Sequence, residues 1–250
     1  ESVDLILNLF PFEGDIYNKF NIPNKYVGHP LADKLPDEPN TESARNELDI
    51  PLTKTVIALL PGSRLTEIKR IAIPLLKAAL LTQSKHKNLF FISALTNEKS
   101  ANVFKKLADK ITPQLKINIY TDKTHRVIES SDIIMLASGT ASLEAMLLKK
   151  PMIVTYKLSW PTYFIVKLLA KIPYVSLPNI LAGREIVPEC LQFKCRPEIL
   201  ASELDKLLNS EESIKKLTNH FGKLSIELRK KANYQAANSV LKLIKNDKIS

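Results

Sequence analysis

The hydrophobic pattern in the middle of the chain predicts strands that alternate with helices. Short apolar runs are bounded by polar or turn-forming residues, and segments with helical periodicity separate them. Runs that are apolar at nearly every position are typical of strands buried on both faces. The predicted strands are residues 55–60, 88–94, 115–120, 132–137 and 151–156. We therefore expect an α/β fold in which helices cover both faces of a parallel sheet.

Helical periodicity fills most of the remaining chain. Pro74 lies inside the longest of these segments, where a proline is expected to kink or restart a helix. The predicted helices are residues 42–48, 66–82, 98–111, 125–130, 139–148, 161–170, 197–209, 211–231 and 234–245, with a short helix ending near Phe20 and a further helix following residues 181–185. The regions predicted to be extended are a strand over residues 3–9 and short pieces over 26–30 and 174–179.

A small-residue turn follows the predicted strand over residues 132–137. It reads Ser138-Gly139-Thr140, and the next helix begins there. The first N–H groups of a helix lack helical acceptors and carry partial positive charge, so this turn is a candidate anion site. Glu144, one turn into the helix, can accept hydrogen bonds from vicinal hydroxyls such as those of a ribose. The alternative is an ordinary strand-to-helix turn with Ser or Thr as its cap.

A second turn follows the predicted strand over residues 55–60. Here Ser63 and Arg64 come after Pro61-Gly62, and the guanidinium of arginine offers a planar set of donors suited to phosphate. Ligands of open α/β sheets bind at the carboxyl ends of the strands. The two turns together therefore predict a clamp for a diphosphate. The sequence has no Gly-x-Gly-x-x-Gly motif and no P-loop lysine, so the turns do not match a dinucleotide or P-loop site.

A third polar cluster lies later in the chain, in an apolar context. Asn179, Arg184 and Glu185 can each hydrogen-bond a sugar or a phosphate. Helix capping and a local ion pair are the alternative for this cluster. The sequence offers no convincing general base and no ligand spacing typical of a metal site.

Charge and composition narrow the class of partner. The 250 residues carry a formal net charge of +10, with a pI of about 9.4, which favours anionic partners. The lysines are spread along the chain, so a solvated surface is the alternative and nucleic acid is not an expected partner. Two cysteines, no recognisable signal peptide and no apolar run long enough for a membrane span indicate reduced thiols in a cytoplasmic protein.

These motifs, in this order, resemble the lipid-A-disaccharide synthases, a family of bacterial glycosyltransferases with the GT-B fold. The segment most specific to that family is residues 174–185, and the earlier turns recur more widely among GT-B enzymes. The matching pieces are Phe10-Pro11-Phe12-Glu13, Gly28-His29-Pro30-Leu31-Ala32-Asp33, Leu60-Pro61-Gly62-Ser63-Arg64 with Glu67-Ile68, Ala137-Ser138-Gly139-Thr140-Ala141 with Leu143-Glu144, Pro151-Met152-Ile153-Val154 with Tyr156, and Tyr174-Val175-Ser176-Leu177-Pro178-Asn179 with Leu181-Ala182-Gly183-Arg184-Glu185.

The resemblance implies a reaction and roles for the candidate residues. The family transfers 2,3-diacylglucosamine from UDP to 2,3-diacylglucosamine 1-phosphate, without a cofactor or metal. By similarity, Arg64 with Ser63 contacts the diphosphate, and the Ser138-Gly139-Thr140 turn supplies donors to it. Glu144 holds the ribose, and Asn179 with Arg184 and Glu185 lines the donor pocket. Acylated substrates and the aromatic residues around Trp160 and Phe164 indicate a peripheral contact with the inner face of the inner membrane.

The resemblance also implies a division of the chain. Residues 1–33 correspond to the end of an N-terminal acceptor domain, 34–41 to a linker, 42–231 to a Rossmann-like UDP-sugar-binding domain and 232–250 to a closing helix. The C-terminal helices are expected to cross back to the first region. The family's catalytic base is expected in the part of the N-terminal domain that these residues do not match. Two alternatives stay open, a non-catalytic UDP-sugar-binding unit and a UDP-sugar epimerase-like enzyme, and a homodimer is compatible with each.

Overall fold

The computed structural model describes residues 3–157 and 173–247, and its first part is a small parallel two-stranded sheet. Strand β1 (Ile6–Asn8) pairs with β2 (Asn24–Tyr26), and helix α1 (Glu13–Asn18) connects them. Helices α2 (Pro30–Lys34) and α3 (Thr41–Glu47) follow. Residues 35–40, between these two helices, belong to neither.

A six-stranded sheet, parallel throughout, forms the centre of the described chain. Its strands stand in the order β5-β4-β3-β6-β7-β8, so the chain starts in the middle, builds one half and then crosses to build the other. The strands are β3 (Thr55–Leu60), β4 (Leu89–Leu95), β5 (Ile117–Thr121), β6 (Ile133–Ala137), β7 (Met152–Tyr156) and β8 (Glu189–Leu191).

Helices cover both faces of this sheet, as the sequence predicts. Their bounds are α4 (Leu65–Lys85), α5 (Glu98–Ile111), α6 (Thr124–Ser130), α7 (Thr140–Leu147), α8 (Leu177–Ala182), α9 (Pro197–Leu208), α10 (Glu211–Leu228) and α11 (Ala232–Asp247). Successive residues of β3 belong to two separate cores: Val56 packs with residues of α6, α7 and α10, and Ile57 with residues of α4, α5 and α9. This alternation is why the strands are apolar throughout.

Two local predictions were wrong, and a third was wrong in part. Helix α4 continues through Pro74 and does not restart there. Residues 177–179, expected to be extended, belong to α8, and Pro178 is tolerated because it stands in the first turn, where a missing N–H costs no helical hydrogen bond. In the described part of the chain, no helix begins directly after Glu185, and the next element is the short strand β8.

Two further expectations concern membrane contact and the cysteines. The aromatic residues near Trp160 and the apolar helix over residues 161–170 lie outside the described residues. In residues 3–157 and 173–247, no helix combines the length and apolar character needed to cross a bilayer. Cys190 and Cys195 are buried free thiols, and burial raises the pKa of Cys190 to about 12, so that thiol is unreactive near neutral pH.

The C-terminal helices cross back to the small sheet. The backbone N–H of His29 donates to the Leu228 carbonyl over 2.9 Å, and the Asp33 carboxylate accepts from the N–H of Ala232 over 2.6 Å, at the start of α11. Gly28, with φ of 85°, allows this contact, since a Cβ there would lie 2.6 Å from the Lys230 Cβ.

A buried arginine connects α3 to the beginnings of the two central strands of the large sheet. The Arg45 Nε donates to the Ser130 carbonyl over 2.9 Å, and Nη2 donates to Asp132 over 2.7 Å. The same Asp132 oxygen accepts from the Val56 N–H over 2.7 Å, at the second residue of β3. One guanidinium therefore satisfies groups from α6, the start of β6 and, through the carboxylate, β3.

We expect Arg45→Met to lower the free energy of unfolding by about 3 kcal/mol, because it leaves buried acceptors without donors. Arg70→Met, at an exposed position of α4, is the matched control and is expected to change it by less than about 0.5 kcal/mol. Urea unfolding followed by circular dichroism measures both values. Equal values for the two variants would contradict the structural role of Arg45.

Candidate functional site

A cavity of about 480 Å³ opens at the carboxyl ends of the central strands. Its wall comes from the segments that follow β3, β4, β6 and β7, and from the start of α6. Strands β3 and β6 are direct neighbours, with Leu60 paired to Leu136, so the two turns predicted to form the diphosphate clamp lie side by side. Six of the nine predicted site residues line this cavity: Ser63, Arg64, Ser138, Gly139, Thr140 and Glu144.

The first turn presents an arginine with few internal contacts. The Arg64 side chain is 79% exposed, and its Nη1 lies 3.4 Å from the Glu67 carboxylate. An exposed pair at this distance is weak, so the guanidinium is available to a ligand. Gly62, with φ of 106°, permits the turn, because a Cβ there would lie 2.6 Å from an oxygen of Glu67.

The second turn presents the start of a helix. Among the described residues, no side chain caps α7, so the N–H groups of Thr140 and Ala141 lack acceptors and face the cavity region. The Ser138 N–H donates to the Thr155 carbonyl, and its hydroxyl donates to the Val175 carbonyl over 2.8 Å. Ser138 therefore fixes the turn to β7 and to the segment that leads into α8.

Glu144 lies one turn into α7 and contacts a histidine. Its Oε1 is 3.2 Å from Nδ1 of His125, and its side chain is 18% exposed. The hydrogen bond to Glu144 raises the pKa of His125, while partial burial of the ring works in the opposite direction. The Glu144 carboxylate is thus on the cavity wall, with one oxygen bonded to His125 and no hydrogen bond to the other among the described residues.

The remaining three predicted residues do not line the cavity. Asn179 is fully buried: its Nδ2 donates to the Val187 carbonyl and to Glu189, and its Oδ1 accepts the N–H groups of Ile186 and Val187. Arg184 is exposed, and its Nη2 lies 2.6 Å from Nε2 of His220 on α10.

Glu185 is exposed and lies beyond the end of α8. The described cavity wall therefore does not include this cluster.

Glu189, at the start of β8, organises this neighbouring segment. Its carboxylate accepts from the N–H groups of Val175 and Ser176, from the Ser176 hydroxyl and from the Asn179 amide, over 2.7 to 3.2 Å. Sequence reasoning missed this residue, because nothing in its local pattern distinguishes it from a surface glutamate.

Sequence reasoning also missed other residues of the cavity wall. Thr96 and Thr124 line it, and each follows the carboxyl end of a strand, β4 and β5 respectively. The rule that located Arg64 and Ser138 would have identified both threonines. Glu67 and Tyr156 complete the polar wall.

The assembled groups suit an anion that carries neighbouring hydroxyls. A guanidinium and a helix N-terminus attract negative charge, and a carboxylate one helical turn away accepts hydroxyl hydrogens. Within residues 3–157 and 173–247, no group of three or more histidine, cysteine, aspartate or glutamate side chains is placed to hold a metal ion.

Solved structures that resemble this chain share its fold. A structure of S. aureus MnaA with UDP matches with a TM-score of 0.65 at 14% identity, covering 97% of this chain and 60% of that one. UDP-GlcNAc 2-epimerase from Neisseria meningitidis, bound to UDP-GlcNAc, gives 0.63 at 14% identity, covering 96% and 62%. WaaG, a glycosyltransferase involved in lipopolysaccharide biosynthesis, gives 0.57 at 12% identity, covering 96% and 63%. These likenesses confirm the GT-B type of α/β fold.

Sequence comparison identifies the family. The lipid-A-disaccharide synthase of Wigglesworthia glossinidia brevipalpis is 42% identical over 244 residues, which are 98% of this chain and 63% of that protein. The enzyme of Vibrio parahaemolyticus serotype O3:K6 is 42% identical over 243 residues, 97% of this chain and 64% of that protein. The chain therefore spans less than two thirds of the length of these relatives. The family model for lipid-A-disaccharide synthetase matches residues 1–244, and the chain belongs to that family.

Proposed function

We propose that this chain provides the donor-binding part of a glycosyltransferase of lipid A biosynthesis. The complete enzyme would transfer 2,3-diacylglucosamine from UDP to 2,3-diacylglucosamine 1-phosphate, forming lipid A disaccharide 1-phosphate and UDP. The observation that carries the proposal is the placement of Arg64, the N-terminus of α7 and Glu144 around one cavity. Membership of the family supplies the identity of the sugars.

In this proposal the two turns hold the diphosphate of the donor. Arg64 and Ser63 bind it from the end of β3, and the Ser138-Gly139-Thr140 turn binds it from the end of β6. As the bond to the sugar breaks, negative charge develops on the departing UDP. Donors already held in place around that position stabilise the charge without reorganising, which lowers the barrier to transfer.

Glu144 would accept hydrogen bonds from the ribose hydroxyls of the same ligand. It lies four residues after Thr140, which separates it along the helix axis from the phosphate-binding end of α7 by about 6 Å at a rise of about 1.5 Å per residue. A ribose joined to the diphosphate is therefore within reach of its carboxylate. This spacing suits a nucleoside diphosphate better than inorganic phosphate alone.

Asn179 would act on the donor pocket indirectly. Together with Ser176 it is bonded to Glu189, and the adjoining Val175 carbonyl accepts the hydroxyl hydrogen of Ser138. This chain of contacts holds the second phosphate-binding turn against β7. We propose that Arg184 and Glu185, which are exposed beside α10, contact the sugar or its acyl chains when the donor is bound.

The division of the chain fits this role. Residues 1–33 would be the end of the acceptor domain, 34–41 the linker, 42–231 the donor domain and 232–250 the closing helix. The catalytic base would belong to the part of the longer relatives that these residues do not match. Acylated substrates require the reaction to occur at a membrane surface, so we propose a peripheral position on the cytoplasmic face of the inner membrane.

We expect saturable binding of UDP to the wild-type chain in calorimetry. Arg64→Ala should raise the dissociation constant at least about 10-fold, because it removes charged donors to the diphosphate. Arg70→Ala, an exposed change on the same helix α4, is the matched control and should leave the constant unchanged. A folded wild-type chain without UDP affinity would overturn the proposal.

An assay of the complete protein with both lipid substrates separates the candidate activities. Formation of disaccharide supports the transferase. UDP binding without disaccharide, but with interconversion of UDP-GlcNAc and its 2-epimer, would instead favour the epimerase-like alternative. Binding with neither reaction would leave a non-catalytic sugar-nucleotide-binding unit.

We expect Asn179→Ala to lower the free energy of unfolding by about 3 kcal/mol, because several buried groups lose their partners together. Arg184→Ala, at an exposed position a few residues away, should change it by less than about 0.5 kcal/mol. Urea unfolding measures both. If Asn179→Ala kept its stability but lost UDP affinity, the asparagine would be a direct ligand contact and the indirect role would be wrong.

A further inference from the structure

His125 has no part in the proposed function, yet it lies directly behind one of the residues assigned to the ligand. Its Nδ1 is 3.2 Å from Oε1 of Glu144, and its ring is half-buried at the start of α6. Its neighbour Thr124 lines the cavity, whereas His125 itself does not. The contact to Glu144 joins α6 to α7 across 19 positions of the sequence.

The other side of the ring faces a second carboxylate. Nε2 of His125 lies 3.7 Å from Glu129, whose side chain is only 3% exposed. Glu129 is itself fixed, because it accepts the Asn40 N–H over 2.9 Å and pairs with Arg126 over 2.7 Å. The imidazole thus has a carboxylate beyond each nitrogen, an arrangement that favours the ring with both nitrogens protonated.

The other charged groups near the ring belong to α6 and α3. Arg126 is adjacent in sequence and disfavours a positive charge on the ring, but it is itself paired with Glu129 and with Glu47 of α3. Lys123 lies 3.9 Å from the same Glu47. Both cations are therefore directed to other carboxylates, and the hydrogen bond to Glu144 is the largest influence on the pKa of His125, ahead of the burial that lowers this pKa.

We propose that His125 is a positioning residue that, in its protonated form, holds the Glu144 carboxylate in the orientation that accepts the ribose hydroxyls. The proposal rests on the assignment of a uridine diphosphate to the cavity. A glutamate side chain has three rotatable bonds, and a bound ligand must otherwise supply the free energy that orders them. The N–H of His125 occupies Oε1 in advance and leaves Oε2 for the ligand.

The proposal predicts a pH dependence with a definite sign. The hydrogen bond to Glu144 raises the pKa of His125, so the donating form persists above the usual value for histidine of about 6.5. The contribution of His125 to UDP affinity is therefore fully present below a pH of about 6.5, and it is lost as the pH rises through the raised pKa of the ring. His125→Gln lacks this titration. The dissociation constant of His125→Gln for UDP, divided by that of the wild type, should therefore fall across the same pH interval. Ionisation of UDP affects both constants equally, so it cancels in this ratio.

A double-mutant cycle on the chain, with calorimetric UDP binding, tests the route of the effect. His125→Ala should weaken UDP binding about 5-fold, because one hydrogen bond between a ribose hydroxyl and the charged Glu144 becomes weaker. Combined with Glu144→Ala, the histidine change should add nothing further. His86→Ala is the matched control, a histidine paired with Asp205 at 2.7 Å at the end of α4, and should leave UDP binding unchanged.

A ligand that lacks the ribose hydroxyls tests whether His125 acts through the contact of Glu144 with the ribose. The wild type and His125→Ala should bind 2′,3′-dideoxyuridine 5′-diphosphate equally. A loss of affinity that persists with this ligand, or that adds to the loss from Glu144→Ala, would show that His125 acts elsewhere and would overturn the positioning role.

A measurement without ligand separates this inference from the proposed function. Titration of the His125 ring by NMR should give a raised pKa that falls in Glu144→Gln. A pKa that is the same in both chains would overturn the pairing, whether or not UDP binds. Failure of the wild type to bind UDP would overturn both the proposed function and the ribose role. UDP binding that is indifferent to His125 would overturn only the inference made here.

Discussion

The hydrogen-bonded pairing of β3 with β6 is the constraint on which the candidate site depends. These strands are far apart in sequence, but their parallel register places Leu60 beside Leu136. Parallel strands end at the same edge of a sheet, so the pairing alone brings the turn after each strand to one place. No long-range contact between the two turns is needed. The cavity wall forms where the hydrogen-bonded pairing of β3 with β6 ends.

Two arginines show how differently this fold uses the same side chain. Arg45 is buried, and its guanidinium donates to three carbonyls and to Asp132. Arg64 is exposed and has one long contact with Glu67. The donors of the Arg45 guanidinium are used in hydrogen bonds within the fold, whereas most donors of the Arg64 guanidinium are available to a ligand. The α7 N-terminus, which no described side chain caps, retains its capacity in the same way.

The parts of the fold that the sequence predicts well are those with a local cause. The central strands are apolar because both faces are covered, and the two turns proposed to hold the diphosphate follow directly from strand and helix ends. The parts that failed have causes elsewhere in the chain. Strand β8 has three residues, too few for a pattern, and is a strand only because β7 offers it an edge.

The same contrast between local and distant causes explains which residues of the candidate site can be predicted from the sequence. Arg64 and Glu144 are recognisable from their places beside a turn and in the first part of a helix. The buried position of Asn179 depends on Glu189 and on the chain between them, which folds back on itself. The contact of His125 with Glu144 depends on how α6 packs beside α7. An asparagine or a histidine suits a pocket and an interior equally, so residue type alone does not separate these outcomes.

The bonds between the two ends of the described chain have a consequence for substitutions there. The polypeptide passes twice between the small sheet and the large one, once after α2 and once between α10 and α11. Where it passes, His29 is bonded to Leu228 and Asp33 to Ala232. The two crossings are therefore bonded to each other, and strand β2 adds a bond from Lys25 to Ser239 of α11. A substitution at Gly28 or Asp33 would thus disturb both ends of the described chain at once, although these residues are more than 190 positions away from their partners in sequence.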